Sequence, residues 1–436
     1  MGTDVQKYAE MKKGRWSAVF KQVIAATMIV AAMSGALSAM AADHWIDTWT
    51  ANPQPVWNSD FPLPTNIPAS LSNRTIRQIA RVSIGGRRVR IVLSNEYGAQ
   101  PLMIGAAHIA IAGTNADIVA GSDRMLTFNG RGTVTIPPGA PAMSDPVELD
   151  IAALGSVSIS LFLPEKASLT TFHWDGLQTA YVAPGNQAAS SKFEPQARFN
   201  ARVFLTNILI DASPDTRAIA AFGDSITDGN GSTPDANRRW PDFLARRMAK
   251  HRLAVLNAGI SGGRLLKDAM GVNALARFDR DVLSRPGIAS VILLIGINDI
   301  SWPGSAFAPY DEVPSADDMV AGYRQLIARA HARNVRVVGA TLTPFEGALQ
   351  GTPLEGYYNE KKEVLRQAIN HWVRTSGEFD SVADFDTMVR DPAHARRFLP
   401  VFDSGDHLHP GDEGNEALAN SIELRMLIGR DYTGTQ

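Results

Sequence analysis

The spacing of apolar residues changes character once along this chain. From Ala42 to about Pro214 apolar and polar positions alternate over short stretches: TIRQIARVSI, RRVRIVLSN, GSVSISLFLP and ARVFLTNILI. A period of two buries one face of a strand, and the Gly85-Gly86 pair between the first two stretches predicts a hairpin. Turn-rich segments such as RGTVTIPPGAPAMSDP separate the strands, and nothing sustains a helical period. The pattern predicts an all-β region of sandwich or jelly-roll type.

After Asp211-Ala-Ser-Pro-Asp215 the pattern becomes strand, loop, helix, repeated. The continuous apolar runs RAIAAF, LAVLNA, SVILLIG, VRVVGATL and the weaker SVADF predict a parallel sheet covered on both faces. Between them lie helical stretches. Trp240, Phe243, Leu244 and Met248 share one helical face, and Ser315 with Asp318 forms a capping box ahead of Met319, Tyr323, Leu326, Ile327 and Ala330. The expected organisation is a β-rich domain over 42–214 followed by a three-layer α/β domain over 215–436. A chain of 436 residues is also too long for one ordinary core.

The N-terminus follows neither pattern. Lys12, Lys13, Arg15 and Lys21 precede an uncharged apolar run from Val23 to Leu37, and Ala39-Met40-Ala41 supplies a small-x-small cleavage pattern. Residues 1–41 read as a signal peptide, with Met11 a more usual start than Met1, and the protein is expected in the periplasm or secreted. The alternative is an uncleaved anchor, because ~20 uncharged residues can span a bilayer. With 42 Lys+Arg against 44 Asp+Glu, no basic surface predicts nucleic-acid or anionic-membrane binding. Cysteine is absent, which removes disulfides, thiolate metal sites and a cysteine nucleophile.

Open parallel sheets place their chemistry beyond the carboxyl ends of the strands. The first three apolar runs end in Gly223-Asp224-Ser225, in Gly259-Ile260-Ser261-Gly262-Gly263 and in Ile297-Asn298-Asp299. A serine needs a base, and Asp406-His407-Leu408-His409-Pro410 joins histidine to carboxylate at a spacing of three, which lets the carboxylate orient the ring. FGDSITDG, the glycine of ISGG, GIND and DHLHP, in this order, resemble the four sequence blocks of the SGNH (GDSL) hydrolases. The resemblance covers most of residues 216–428. It is nearest to a two-domain bacterial subfamily whose β-rich N-terminal region opens with a motif like HWIDTWTANPQ. It implies a flavodoxin-like hydrolase domain and an esterase or acylhydrolase activity. Its residue roles would be Ser225 as nucleophile, His409 as base, Asp406 as orienter, and an oxyanion hole from the Ser225 and Gly262 N–H groups and the Asn298 amide. His407 departs from the family pattern, and its role stays open.

Other readings compete. Gly259-Ile260-Ser261-Gly262-Gly263 also fits the G-x-S-x-G elbow of α/β-hydrolases, which would make Ser261 the nucleophile. His407, Asp403 and Asp412 with His409 could suggest a metal cluster, but the serine explains the histidine with neither metal nor cofactor. Trp45, Trp49, Trp57 and Trp174 read either as core or as a sugar-stacking platform. Trp302, Arg264 and Glu346 are candidates to line a pocket, whereas His44, His108, His173 and His371 read as packing or surface residues. The expected function is hydrolysis of short-chain carboxylic esters, with a small-molecule or glycan ester as partner. The alternatives are a polysaccharide O-acetylesterase and, from another class, a non-catalytic glycan-binding protein on a hydrolase scaffold.

Overall fold

The computed structural model describes residues 43–352 and 354–429. The expected signal peptide, residues 1–41, lies outside the described residues. From Trp45 onward the chain falls in one compact unit, with antiparallel strands up to Asp211 and a parallel sheet from Arg217.

The β-rich half is built on two antiparallel sheets that share an apolar core. One sheet runs Trp45–Thr50, Leu205–Asp211, Gly86–Ser94 and Pro141–Met143 in spatial order, with Val147–Ile151 also pairing Gly86–Ser94. The other runs Ala197–Phe199, Ala180–Pro184, Arg74–Arg81, Ser156–Leu163, Ala106–Ile111 and Arg124–Leu126. Ile76, Val157, Ile159 and Leu161 of the second sheet meet Val89, Ile91, Leu93, Ile208 and Ile210 of the first, all fully buried.

The hairpin expected at Gly85-Gly86 does not form. Arg74–Arg81 and Gly86–Ser94 lie in different sheets, and residues 82–85 carry the chain from one to the other across Thr48. Neither glycine adopts the positive φ that a two-residue hairpin turn requires. Gly85 is needed for room, since a Cβ there would overlap the Ile151 carbonyl. Nor is the polar face of Arg74–Arg81 open to water. Arg77 is fully buried, donating to Ser160 Oγ at 2.8 Å and to the carbonyls of Ala116 and Ser190 at 2.8 and 2.9 Å.

The α/β half follows its apolar runs closely. The strands Leu253–Gly259, Arg217–Gly223, Ile288–Leu294, Arg336–Ala340 and Ser381–Ala383 lie side by side in that order, all parallel. This is the flavodoxin-like order, which switches between the first and third strands of the sequence. The helices Trp240–Met248 and Asp412–Ser421 pack together, as do Ala316–His331 and Glu360–Thr375. Ser315 Oγ accepts from the Asp318 N–H at 3.1 Å while Asp318 accepts from the Ser315 N–H at 3.0 Å, the expected capping box. Among the described residues no helix is long and apolar enough to cross a membrane.

The two halves meet along the strands Arg217–Gly223 and Leu253–Gly259. Ala218, Ala254 and Leu256 join the apolar core of the sandwich, Ser83 Oγ accepts from the Val255 N–H at 2.8 Å, and Thr50 Oγ1 donates to the Asn257 carbonyl at 3.0 Å.

Candidate active site

The first parallel strand stops at Gly223, and Asp224 caps a single helical turn, Ser225–Asp228, by accepting from the Ile226 N–H at 3.1 Å. Gly229 closes the turn at φ 119°, a conformation that a side chain would strain. Ser225 thus stands at the start of the turn, at the carboxyl end of its strand, and is 6% exposed. Two residues after Gly229, Gly231, at φ 87°, passes so close to the loop before Asp412 that a Cβ would meet the Pro410 carbonyl at 2.7 Å and His409 Cβ at 3.0 Å.

That loop delivers the histidine. His409 Nε2 lies 2.8 Å from Ser225 Oγ, and its Nδ1 lies 2.6 Å from Asp406 Oδ2. Because a carboxylate only accepts, Nδ1 carries the proton and Nε2 is left free to accept the serine O–H. Asp406 Oδ1 also accepts from the N–H groups of Leu408 and His409 at 2.9 and 2.8 Å. Burial opposes ionisation of Asp406, but the His409 ring and these N–H groups hold its carboxyl well below the usual carboxylate range. Asn415 ties the loop to the rest of the domain, donating to the Pro410 carbonyl at 2.8 Å and accepting from the Trp240 N–H at 2.9 Å.

The two other strand exits adjoin this one in the sheet. Gly262 has φ 73°, and a Cβ there would collide with Met270 Sδ and approach the Trp302 ring to 2.9 Å. Asn298 Nδ2 donates to the Gly263 carbonyl at 3.0 Å, and Tyr357 O–H donates to Asn298 Oδ1 at 2.7 Å, which fixes which way the amide points. Asp299 accepts from the N–H groups of Leu265 and Leu266 at 2.6 and 2.9 Å; burial pushes its pKa up to about 6. The loop that starts at Gly259 is therefore held from the third strand's exit at three backbone positions. Burial also pushes the Asp224 carboxyl up to about 7, and its Oδ2 has no hydrogen-bond partner among the described residues.

The structure brings Ser225, His409 and Asp406 into one hydrogen-bonded chain and sets Gly262 and Asn298 on neighbouring strand ends. It gives Ser261 a different environment. Its Oγ donates to Asp228 Oδ2 at 2.8 Å, and among the described residues no histidine hydrogen-bonds to it. The carboxylates of the suggested metal cluster have separate partners: Asp403 binds His407 Nδ1 at 2.5 Å, and Asp412 accepts from Thr233 and Arg238. Arg264 is ion-paired with Asp311 at 2.6 Å and sits over the Trp302 ring, and Glu346 is ion-paired with Arg397. Trp49 is core. Trp57 and Trp174 join Phe61, which stacks on Phe307 and reaches Trp302 beside Gly262.

Sequence reasoning missed Tyr357, Arg277 and the partner of His173. Arg277 is fully buried and donates to the carbonyls of Gly223 and Ala258 at 2.7 and 2.9 Å, securing the ends of the first two strands. His173, expected in packing or at the surface, is buried, with Nε2 2.8 Å from Asp228 Oδ1, a partner the sequence did not indicate. No local periodicity could have indicated these contacts: Arg277 to Ala258 and Gly223, His173 to Asp228 and Tyr357 to Asn298 span 19 to 59 positions.

A serine linked through histidine to a carboxylate, at the carboxyl end of an open α/β sheet, has the geometry of a hydrolase triad. Residues 221–417 match the family described as GDSL-like lipase/acylhydrolase. Three similar solved structures are an aryl esterase from M. smegmatis, a carbohydrate acetylesterase from Sinorhizobium meliloti and a GDSL-like lipase from Bacteroides thetaiotaomicron. Their identities are 17%, 17% and 18%, with TM-scores of 0.38, 0.37 and 0.36. The matches cover 49%, 48% and 48% of this chain and 100%, 96% and 87% of those chains. No curated protein matches the chain significantly.

Proposed function

We propose that this protein is an exported serine esterase that hydrolyses short-chain carboxylic esters through an acyl-enzyme. The observation that carries the reading is the pair of hydrogen bonds, 2.8 and 2.6 Å, from Ser225 through His409 to Asp406. Ser225 Oγ attacks the ester carbonyl while His409 Nε2 takes its proton, and Asp406 stabilises the imidazolium that forms. His409 then gives that proton to the leaving alcohol. Water, activated by His409 in turn, attacks the acyl-enzyme and frees the acid.

The charge that develops on the carbonyl oxygen goes to the N–H groups of Ser225 and Gly262 and to Asn298 Nδ2. No hydrogen bond among the described residues uses either N–H. An amide nitrogen carries two protons, and Asn298 spends one on Gly263, so the other is available to substrate. Catalysis in this reading is the work of residues 215–436, with 42–214 as a separate domain that supports it. The proposed location is the periplasm or the exterior, after removal of 1–41.

Short acyl groups fit the loops beyond the strand ends, DGNGSTPDANRR, SGGRLLKDAM and SWPGSAFAPYDEVPSADD, which are mostly polar or small. Each buried methylene is worth about 0.8 kcal/mol, so a deep apolar groove would favour long chains steeply, and these loops supply little surface for one. A second reading, a glycan O-acetylesterase, is favoured by the aromatic group Trp57, Phe61 and Trp174, which the β-rich half brings up to Trp302. The deciding experiment is a p-nitrophenyl ester series run below micelle formation, beside an acetylated xylan. Highest kcat/KM is expected at roughly two to six acyl carbons. A maximum at long chains would overturn the short-chain reading, and strong preference for the glycan would promote the second.

A further inference from the structure

Beside the proposed triad lies a buried ion pair that its chemistry does not use. His173 lies on the short strand Thr171–His173 of the β-rich half, and Asp228 ends the helical turn that starts at Ser225. They are 5% and 2% exposed. His173 Nδ1 sits 3.0 Å from the Asn52 carbonyl, which can only accept, and Nε2 sits 2.8 Å from Asp228 Oδ1. Two acceptors require a donor at each ring nitrogen, hence an imidazolium facing a carboxylate. Burial pulls the His173 pKa down, yet Asp228 carries it above the ordinary histidine value.

The other oxygen of Asp228 faces the second strand's exit. Asp228 Oδ2 accepts from both the N–H and the O–H of Ser261, at 3.0 and 2.8 Å, and Ser261 directly precedes Gly262. An unbroken chain therefore runs from Asn52 through His173 and Asp228 to the backbone of Ser261. A second tie from the same half is close by: Gln54 Nε2 donates to the carbonyl of Met270, whose side chain crowds Gly262. Gln54 Oε1 in turn accepts from the Trp174 N–H at 2.9 Å, the residue after His173.

We propose that His173 and Asp228 are positioning residues through which the β-rich half aims the Gly262 N–H at the developing oxyanion. The inference rests on the reading of Ser225 as nucleophile and Gly262 as an oxyanion donor. Neither residue touches substrate. The pair holds Ser261, and the peptide that follows carries the N–H that must point into the site. A buried imidazolium suits this task, because removing its partner leaves an uncompensated charge and the pair resists separation. The chain also gives the sequence from Asn52 to Gln54 a part in catalysis, although it lies some 170 residues before the nucleophile.

The test is steady-state hydrolysis of p-nitrophenyl acetate by full-length His173→Gln and Asp228→Asn, with active sites counted by fluorophosphonate titration. Misaiming one donor without deleting it should cost less than the 10²–10³ of outright loss, so kcat per titrated site is expected to fall about 10- to 100-fold, with KM within about twofold. The double variant should fall little further than the worse single, because both act through Ser261. If the pair only stabilises the fold, the melting temperature and the count of active sites will drop while kcat per site stays within about twofold of wild type, and the proposal is overturned. Should neither variant fold, Ser261→Ala decides: it keeps the N–H bond to Asp228 and loses the O–H bond, so a loss of about 3- to 10-fold in kcat is expected and an unchanged kcat overturns the proposal. Absence of wild-type turnover would instead overturn the esterase reading and the brace with it, which separates the two failures.

Discussion

The two halves of this chain bury polar side chains to different ends. In the β-rich half Arg77 and Gln78 are fully buried, and they are matched chiefly to backbone: Gln78 donates to the Val203 carbonyl at 3.0 Å and accepts from the Val203 N–H at 2.9 Å, while Arg77 serves the carbonyls of Ala116 and Ser190. Such groups stitch segments together and leave nothing to react. In the α/β half Asp224, Ser225, Asp228, Ser261, Asn298, Asp299 and His409 are gathered where strand ends meet; Asp224 and Asp299 hold backbone N–H groups, but Ser225 meets His409 and Ser261 meets Asp228 side chain to side chain. Burying a polar group costs free energy unless it is paired. One half meets that cost with structure, and the other keeps donors and acceptors for a substrate. His173 belongs to the first half by sequence and to the second by what it holds.

The comparison breaks most visibly at the triad. Ser225→Ala and His409→Ala should each lower kcat by a factor on the order of 10⁴–10⁶ and together hardly more, because the members act as a unit. Circular dichroism should show the fold unchanged. A double variant far worse than either single would mean that the two residues act separately.

Asn298→Ala comes next, with kcat down about 10²–10³ and little change in KM, because its amide matters as charge develops. Tyr357→Phe removes the hydrogen bond that orients that amide and should cost a smaller factor, about 3- to 10-fold, in kcat. An effect on KM alone would contradict both roles.

Two glycines sharpen the contrast between the halves. Gly85→Ala forces a Cβ onto the Ile151 carbonyl and should cost about 2–3 kcal/mol in denaturant unfolding, with kcat per folded molecule retained. Gly262→Ala strains a φ of 73° and presses on Met270 and Trp302, so kcat should fall even in the folded fraction. Equal behaviour in the two variants would erase the distinction.

The smallest effect concerns pH. Burial raises the Asp224 carboxyl from 3.8 to about 7, so the folded state binds a proton that the unfolded chain has released. Its contribution is harmless below about pH 4, grows less favourable as pH rises towards 7, and is constant above. Asp224→Asn keeps the cap on the Ile226 N–H and abolishes that loss. Melting temperatures of wild type and variant should coincide near pH 4 and separate by a few degrees by pH 8, with the variant higher. A wild type that gains on the variant with rising pH would reverse the assignment.

These residues also show what was legible beforehand. Continuous runs such as SVILLIG mark buried parallel strands because both faces are covered, and the exits carrying Ser225, Gly262 and Asn298 follow from the rule of carboxyl ends. The Gly85-Gly86 connection misleads because alternation says that a strand has two faces without saying which sheet it joins. The polar face of TIRQIARVSI is buried under residues that contact Arg77 from 39 and 113 positions away. Tyr357 and His173 have partners 59 and 55 positions away, and a single sequence carries no record of such pairs.

On the proposed mechanism Ser225 and not Ser261 is the nucleophile, and covalent labelling separates the two. The folded protein is treated with a fluorophosphonate and the modified peptide mapped by mass spectrometry. Stoichiometric label is expected on Ser225 and is expected to be lost in His409→Ala. Label on Ser261, or full ester turnover by a protein that takes no label, would contradict it.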